Sequence, residues 1–365
     1  AAEQTPFRYD FAVTGTAPGG FPQNSWKKIS KEVLLDADDS LFQLGDAKGE
    51  HGLREAIRDY LHHARGVNCR TEQIIVGAGN DYLLMLLSVI LGRGHKVAME
   101  NPTYISAYRC FAKLGYAMCT ISMDEAGMRP AELEKSGADL AYIMPSHQFP
   151  MGMVMPMKRR MQLLAWASRE NGRYLIEDDY DSEFRYRGKP IPSLQSSDEK
   201  GKVIYIGTFS KAIAPAIRVS YMVLPGDLLD IYRRDCSFYS CTVSRIDQRI
   251  LNEFIRDGYF ERHLNKMRMR YRAKHDLLLA GLEPFKKQFV ISGEDAGLHL
   301  LLTAKGNVTE QELLERAAAE KVKAYGMSEN MVEATMRKAT VLLGFGSIDE
   351  AEMQEGLRRL QKAWL

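Results

Sequence analysis

The chain has 365 residues, 45% of them apolar and 26% charged, with a formal net charge of only +2. That balance leaves no nucleic-acid footprint and no polybasic membrane surface across the chain as a whole. The length exceeds what a single core usually fills and predicts two α/β lobes.

No apolar run reaches membrane-spanning length. The longest, Leu83–Leu91, contains Ser88 and stops at Gly92. Ala1–Asp10 carries charges and lacks an apolar signal core. The cysteines (Cys69, Cys110, Cys119, Cys236 and Cys241) form no CxxC pair. Their scatter predicts free thiols in a reducing cytoplasm and no zinc or other metal site.

In chain order, Thr14–Gly20 predicts an irregular arm, and Leu53–Arg65 a helix with Leu53, Ile57, Tyr60 and Leu61 on one face. Strands and helices then alternate. Strand Gln73–Val76, helix Asn80–Leu91, strand Lys96–Met99, helix Tyr104–Leu114 and strand Ala117–Ile121 come first. Strand Asp139–Met144, helix Pro156–Glu170 and strands Arg173–Ile176, Lys202–Ile206 and Val219–Leu224 follow. Short apolar strands with helices between them predict a mostly parallel sheet covered on both faces. After about residue 245 the pattern changes to a long helix, Gly258–Leu282, and a smaller α/β lobe. That lobe has strand Gly297–Thr303, helix Thr309–Glu320, strand Thr340–Phe345 and helix Asp349–Ala363. The expected division is a large lobe over 46–250 and a smaller one from 1–45 with 251–365.

Four segments carry chemistry, and each lies where a strand ends, the place where open α/β sheets put their ligands. Lys211 follows a buried strand and the hydroxyls of Thr208 and Ser210, with Arg218 farther on. A lone lysine is ordinarily a solvated surface group. An amine grouped with hydroxyls and a guanidinium, which grips phosphate bidentately, is what pyridoxal phosphate (PLP) needs for its Schiff base and its phosphate. In Glu177-Asp178-Asp179-Tyr180 the acidic run reads equally as a solvated loop or a metal site. Asp178, however, ends an apolar strand and points into a sheet-edge cleft, where it would keep a pyridine nitrogen protonated. Asp179 faces away under strand alternation. Gly77-Ala78-Gly79-Asn80-Asp81 opens a helix, a ready anion site, and Asp81 is expected to cap the helix or turn away. Tyr104, after Asn101-Pro102-Thr103, is either a core aromatic or a ring that stacks on the cofactor.

These runs resemble the lysine, aspartate and phosphate motifs of fold-type I PLP-dependent aminotransferases. The resemblance implies Schiff-base formation at Lys211, a pyridinium partner in Asp178 and a donor to the cofactor's O3′ in Tyr180. It also implies a phosphate cradle at Gly79, Asn80 and Asp81. The run His147-Gln148-Phe149-Pro150 looks like the signature of the MocR-like branch. Those proteins are bacterial regulators of the GntR superfamily that fuse a winged helix-turn-helix to an aminotransferase-like domain. The likeness extends from Phe7 to Leu365 and implies a large domain with a mostly parallel seven-stranded sheet, a smaller α/β domain and a homodimer.

Two departures stand out. Phe149 occupies the place of an asparagine that contacts O3′, with His147 or Gln148 as the substitutes. Leu44 stands where many relatives carry a tyrosine that reaches the neighbouring subunit's phosphate. Residues 1–6 are too few for a winged helix, so DNA contact is expected only through a domain outside this chain. The expected function is an effector-sensing domain that forms external aldimines with an amino acid or amine. A free-standing aminotransferase acting on an amino acid and a 2-oxo acid is the alternative, and a cofactor-free structural protein a third. For a substrate carboxylate, Arg337 is the nearest candidate. Thr340 stands close to where relatives place that arginine. Arg185 and Arg187 read as solvated loop charges, and His299 as a packed core residue.

Overall fold

The computed structural model describes residues 7–187, 191–334 and 338–365. A short strand β1 (Tyr9–Asp10) and helices α1 (Gln23–Leu35) and α2 (His51–Arg65) open the chain. Then come β2 (Ile74–Gly77), α3 (Asn80–Leu91), β3 (Lys96–Asn101), α4 (Ile105–Lys113), β4 (Ala117–Asp124), β5 (Gly127–Met128) and α5 (Pro130–Lys135). Next are β6 (Leu140–Ile143), α6 (Met157–Ala167), β7 (Tyr174–Asp179), β8 (Val203–Thr208), β9 (Ser220–Val223) and α7 (Gly226–Asp235). The C-terminal part holds α8 (Arg245–Arg256), α9 (Tyr259–Gly281), β10 (Phe289–Ser292), β11 (His299–Ala304), α10 (Glu310–Ala319), β12 (Val322–Lys323), β13 (Tyr325–Gly326), β14 (Thr340–Gly344) and α11 (Glu350–Trp364).

The large sheet has the order β2-β9-β8-β7-β6-β3-β4-β5, eight strands. The run from β8 to β4 is parallel, whereas β9 is antiparallel to both β2 and β8. The strand beyond the expected seven is β5, a two-residue return against β4. Both sheet faces are covered. Ile75, Met99, Tyr142, Ile176 and Met222 pack under α3, α4 and α7. Ile74, Val76, Tyr205 and Tyr221 pack under α2 and α8. Burial on both sides is why these strands read as continuous apolar runs rather than alternating ones.

The second sheet, β10-β11-β14-β13, is antiparallel and packs against α9, α10 and α11. Its cluster also takes in Tyr9, Phe11 and Ala17 from the arm, where β1 pairs in parallel with β12. Helix α1, expected with the smaller lobe, instead buries Ile29 and Val33 in the cluster of the large sheet. The expected helix over 258–282 is α9, preceded by the separate α8; Gly258, at φ 72°, marks the break. Helix α9 joins the lobes: Phe260 and Leu264 pack with the large sheet, and Met267, Tyr271 and Leu278 with the small one.

Asp179 and Arg65 form a buried ion pair at 2.8 Å below the end of β7, with exposures of 1% and 7%. Tyr205 donates to the same carboxylate oxygen, and Arg65 also donates to Ser146 Oγ and the Ile191 carbonyl. Removing one member of such a pair strands a buried charge. Arg65→Met is therefore expected to cost about 3–5 kcal/mol in urea unfolding, and Arg65→Met/Asp179→Leu to recover part of it.

Candidate active site

The carboxyl ends of β7 and β8, the residue after β6 and the amino end of α3 open onto one cavity of about 190 Å³. The arm adds Val13 and Thr14, and the smaller lobe adds Leu298 and His299. A larger cleft of about 980 Å³ lies around α2 and the start of α9. It holds none of the motif residues named for the cofactor, so chemistry rather than volume selects the smaller cavity.

Strand alternation divides the acidic run. Asp178 lines the cavity, while Asp179 points through the sheet to Arg65. Asp178 Oδ2 accepts from the Tyr142 hydroxyl and, at 3.2 Å, from Asn80 Nδ2. Burial outweighs these donors and pushes its carboxyl up to about 7. Asn80 Oδ1 is buried without a partner among the described residues. Tyr142 was not singled out in the sequence; it lies a strand away on β6, and its short contact with Asp178 needs the sheet to form.

Lys211 follows β8, and its amine is held in the cavity wall, 3.2 Å from the Val13 carbonyl oxygen. No carboxylate pairs with it among the described residues. Burial lowers its pKa, with the Asp181 charge acting in the opposite sense. An amine that sheds its proton readily is the form that attacks an aldehyde. Thr208 Oγ1 accepts from Ser210 N at 3.2 Å and from Ser220 Oγ at 2.8 Å, and both Thr208 and Ser210 line the cavity.

At the other end, α3 begins at Gly79, φ 91°, with no side-chain cap. A Cβ on Gly79 would lie 2.3 Å from Arg218 Nη2, so the guanidinium sits directly over the helix start. Arg218 itself adopts φ 52°. Asp81 neither caps the helix nor turns away. It contacts Arg218 at 3.4 Å, both side chains being more than half exposed. The free N–H groups of a helix start and a guanidinium together form an anion cradle.

Phe149 is the centre of an aromatic wall. Tyr104 (6.2 Å), Tyr180 (6.3 Å) and His299 (5.5 Å) meet it edge-on or nearly so. His299, expected as a core residue, is buried yet also lines the cavity; burial pushes it down to about 3, and it bonds the Pro150 carbonyl oxygen at 2.8 Å. His147, expected at the cofactor, is not in the cavity wall. It stands behind Tyr180, with Nδ1 2.8 Å from the phenol oxygen and 2.9 Å from Asp181 Oδ2. Gln148 is tied to the Pro102 carbonyl and Met151 N–H.

The fold does not bring every candidate here. Arg337 lies outside the described residues. Arg185 lines the larger cleft, Arg187 pairs with Glu294 at the surface, and Thr340 is buried against Thr303 on the second sheet. Leu44 is 90% exposed and away from the cavity.

Comparison with known proteins places this geometry. The sequence profile of aminotransferase class I and II matches residues 14–360. The chain belongs to that family. It is 38% identical to the uncharacterized HTH-type transcriptional regulator YdeL of Bacillus subtilis, over 100% of this chain and 78% of that one. It is 30% identical to the probable rhizopine catabolism regulatory protein MocR of Rhizobium meliloti, over 94% and 70%. It is also 30% identical to aromatic-amino-acid aminotransferase 1 of Thermococcus litoralis, over 94% and 85%. Among solved structures, Pyrococcus horikoshii kynurenine aminotransferase in complex with PMP superposes at TM-score 0.85 with 27% identity, covering 99% and 91% of the two chains. The fold is fold-type I, and the cofactor is pyridoxal phosphate. The residues present fit that group: a half-buried amine with no acid paired to it among the described residues, a carboxyl in want of a cation, an Asn80 oxygen without a partner among them and an anion cradle sized by a glycine.

The raised Asp178 carboxyl has a thermodynamic sign. Its folded pKa lies above the ordinary value of 3.8, so the cofactor-free protein binds more protons folded than unfolded between about 4 and 7. That stabilisation is complete below the unfolded value and lost as pH rises through about 7. Asp178→Asn is expected to stabilise the cofactor-free protein by about 1–4 kcal/mol at pH 8, to have little effect at pH 4, and to weaken cofactor binding. Urea unfolding at both pH values, with and without cofactor, checks this.

Proposed function

We propose that this chain is the effector-sensing domain of a MocR-like transcriptional regulator. Lys211 would hold the cofactor's aldehyde carbon, Asp178 would face its ring nitrogen, Tyr180 would donate to its ring oxygen, and Tyr104 would pack on the ring. The backbone N–H groups at Gly79, Asn80 and Asp81, the hydroxyls of Thr208 and Ser210, and the Arg218 guanidinium, released from the Asp81 carboxylate, would hold the phosphate end. The cofactor would supply an aldehyde carbon open to an amino acid or amine in place of Lys211. The reading carries the expected homodimer, a cytoplasmic setting, and DNA contact through a winged helix-turn-helix of the parent protein.

The observation that carries it is the pairing, in one small cavity, of a half-buried amine and a buried carboxyl, neither with an ion-pair partner among the described residues. The regulators named above support the sensing role, and so does Phe149, which supplies no hydrogen bond where an amide is expected. In this reading the large sheet with α1 and α8 forms the cofactor lobe, and the second sheet with α10, α11 and the arm forms the lobe that answers the ligand. Helix α9, packed in both cores, is the element that would transmit the change.

A working aminotransferase is the second reading. It is favoured by the Thermococcus relative and by the complete set of Lys211, Asp178, Tyr180 and Arg218. One experiment separates the two. The cofactor-loaded protein is titrated with amino acids and amines while its visible spectrum is recorded, and 2-oxo acid is measured. Sensing predicts a saturable spectral change with at most one product per site. Sustained turnover with an added 2-oxo acid would assign catalysis instead.

A further inference from the structure

Tyr180 is backed by two buried groups that the reaction set leaves unused. His147 is 1% exposed and Asp181 4%, and Nδ1 of the histidine lies within hydrogen-bond distance of both the carboxylate and the phenol. Nδ1 can carry only one proton. Among the described residues, Asp181 Oδ1 and His147 Nε2 are both buried without a partner. Gly297 packs against the ring at Cε1: a Cβ there would come within 1.9 Å of His147 Cε1 and 2.6 Å of both ring nitrogens. A buried N–H with no acceptor is costlier and rarer than an unused lone pair, so Nε2 is bare and the ring proton is on Nδ1. The remaining neighbours agree. His299 packs at 5.4 Å, is kept neutral by its burial and donates its Nε2–H to the Pro150 carbonyl; no hydrogen bond joins it to His147 among the described residues.

A proton on Nδ1 decides what the phenol does. With Asp181 as its acceptor, that N–H also lies against the Tyr180 oxygen, in a shared bond of the kind seen at helix ends. Tyr180 then cannot donate to His147. Burial, and then the Asp181 charge, push its own ionisation well up, so the phenol keeps its proton.

We propose that Asp181 and His147 are a positioning pair for Tyr180. Asp181 fixes the Nδ1–H tautomer, and that N–H takes the inner lone pair of the phenol and turns its proton into the cavity, onto the cofactor's ring oxygen. The pair thus offsets the donor lost at Phe149. This rests on the reading of Tyr180 as donor to that oxygen, and its failure is separable from the failure of that reading.

The test uses the full chain loaded with pyridoxal phosphate and follows the pH midpoint of its visible band. The ring oxygen is negative in both forms, and loss of the proton on the Lys211 nitrogen link would remove that oxygen's internal partner, so a directed phenol favours the unprotonated form and lowers the midpoint. Tyr180→Phe is therefore expected to raise it by about one unit, a tenfold change. Asp181→Asn raises it through Tyr180, while loss of the Asp181 charge acts directly on the link in the opposite sense, so the deciding arm is the double variant. In the Tyr180→Phe background the upward part is expected to vanish, and Asp181→Asn should only lower the midpoint. His147→Asn, which keeps a donor near the Nδ1 position, should stay near the parent, and His147→Leu should follow Tyr180→Phe. An Asp181→Asn shift of equal size in both backgrounds, or identical midpoints for His147→Asn and His147→Leu, overturns the proposal. Should Asp181→Asn fail to fold, the two His147 variants carry the same decision. Absence of any band in the parent protein would instead remove the cofactor reading itself.

Discussion

Strand β7 ends in two adjacent carboxylates that face opposite sides of the sheet, and both are buried. Burial of a carboxylate is costly unless cations or donors answer it. Below the sheet the answer is complete: Asp179 meets Arg65 and Tyr205. Above it the answer is partial. Asp178 has two neutral donors, Tyr142 and Asn80, and no cation. The imbalance across one strand leaves a place for a positively charged ring nitrogen, and the rest of the cavity is arranged around that place.

The surrounding parts come from both lobes. The amine of Lys211 is bonded to the Val13 carbonyl in the N-terminal arm. The arm in turn pairs with β12 and receives a hydrogen bond from Gly344 N–H at the end of β14. Cavity, arm and second sheet are thus joined. A cofactor link at Lys211 would take a donor from Val13, and the cavity wall at Leu298 and His299 lies at the start of β11, in the sheet that holds the arm. A module that reports occupancy needs such a connection.

The parallel strands β3, β6, β7 and β8 were legible because they are buried on both faces and so read as short apolar runs. Helix α3 was read at its observed limits because Gly79 and Gly92 bracket it. Helix α1 was not. Its sequence QNSWKKISKEVLL buries only Ile29 and Val33, too sparse a stripe to stand out. The two-residue strands β5, β12 and β13 carry no periodic signal at all. In the cavity, the motif residues Lys211, Asp178 and Arg218 were legible in position, because each stands at or after a strand end along the chain. Contacts made across strands were not. Tyr142 reaches Asp178 from β6, and Asp181 gains its meaning only once His147 lies against it. His147 was placed at the cofactor because a motif gives position along the chain but not depth behind a wall.

The central claim is that the Lys211 amine is the one that takes the cofactor. Reduction of the pyridoxal phosphate-loaded protein with borohydride, followed by peptide mass spectrometry, tests it directly. The account predicts a single stoichiometric phosphopyridoxyl mark on Lys211. A mark on another lysine, or scattered substoichiometric labelling with Lys211 unmodified, would contradict it.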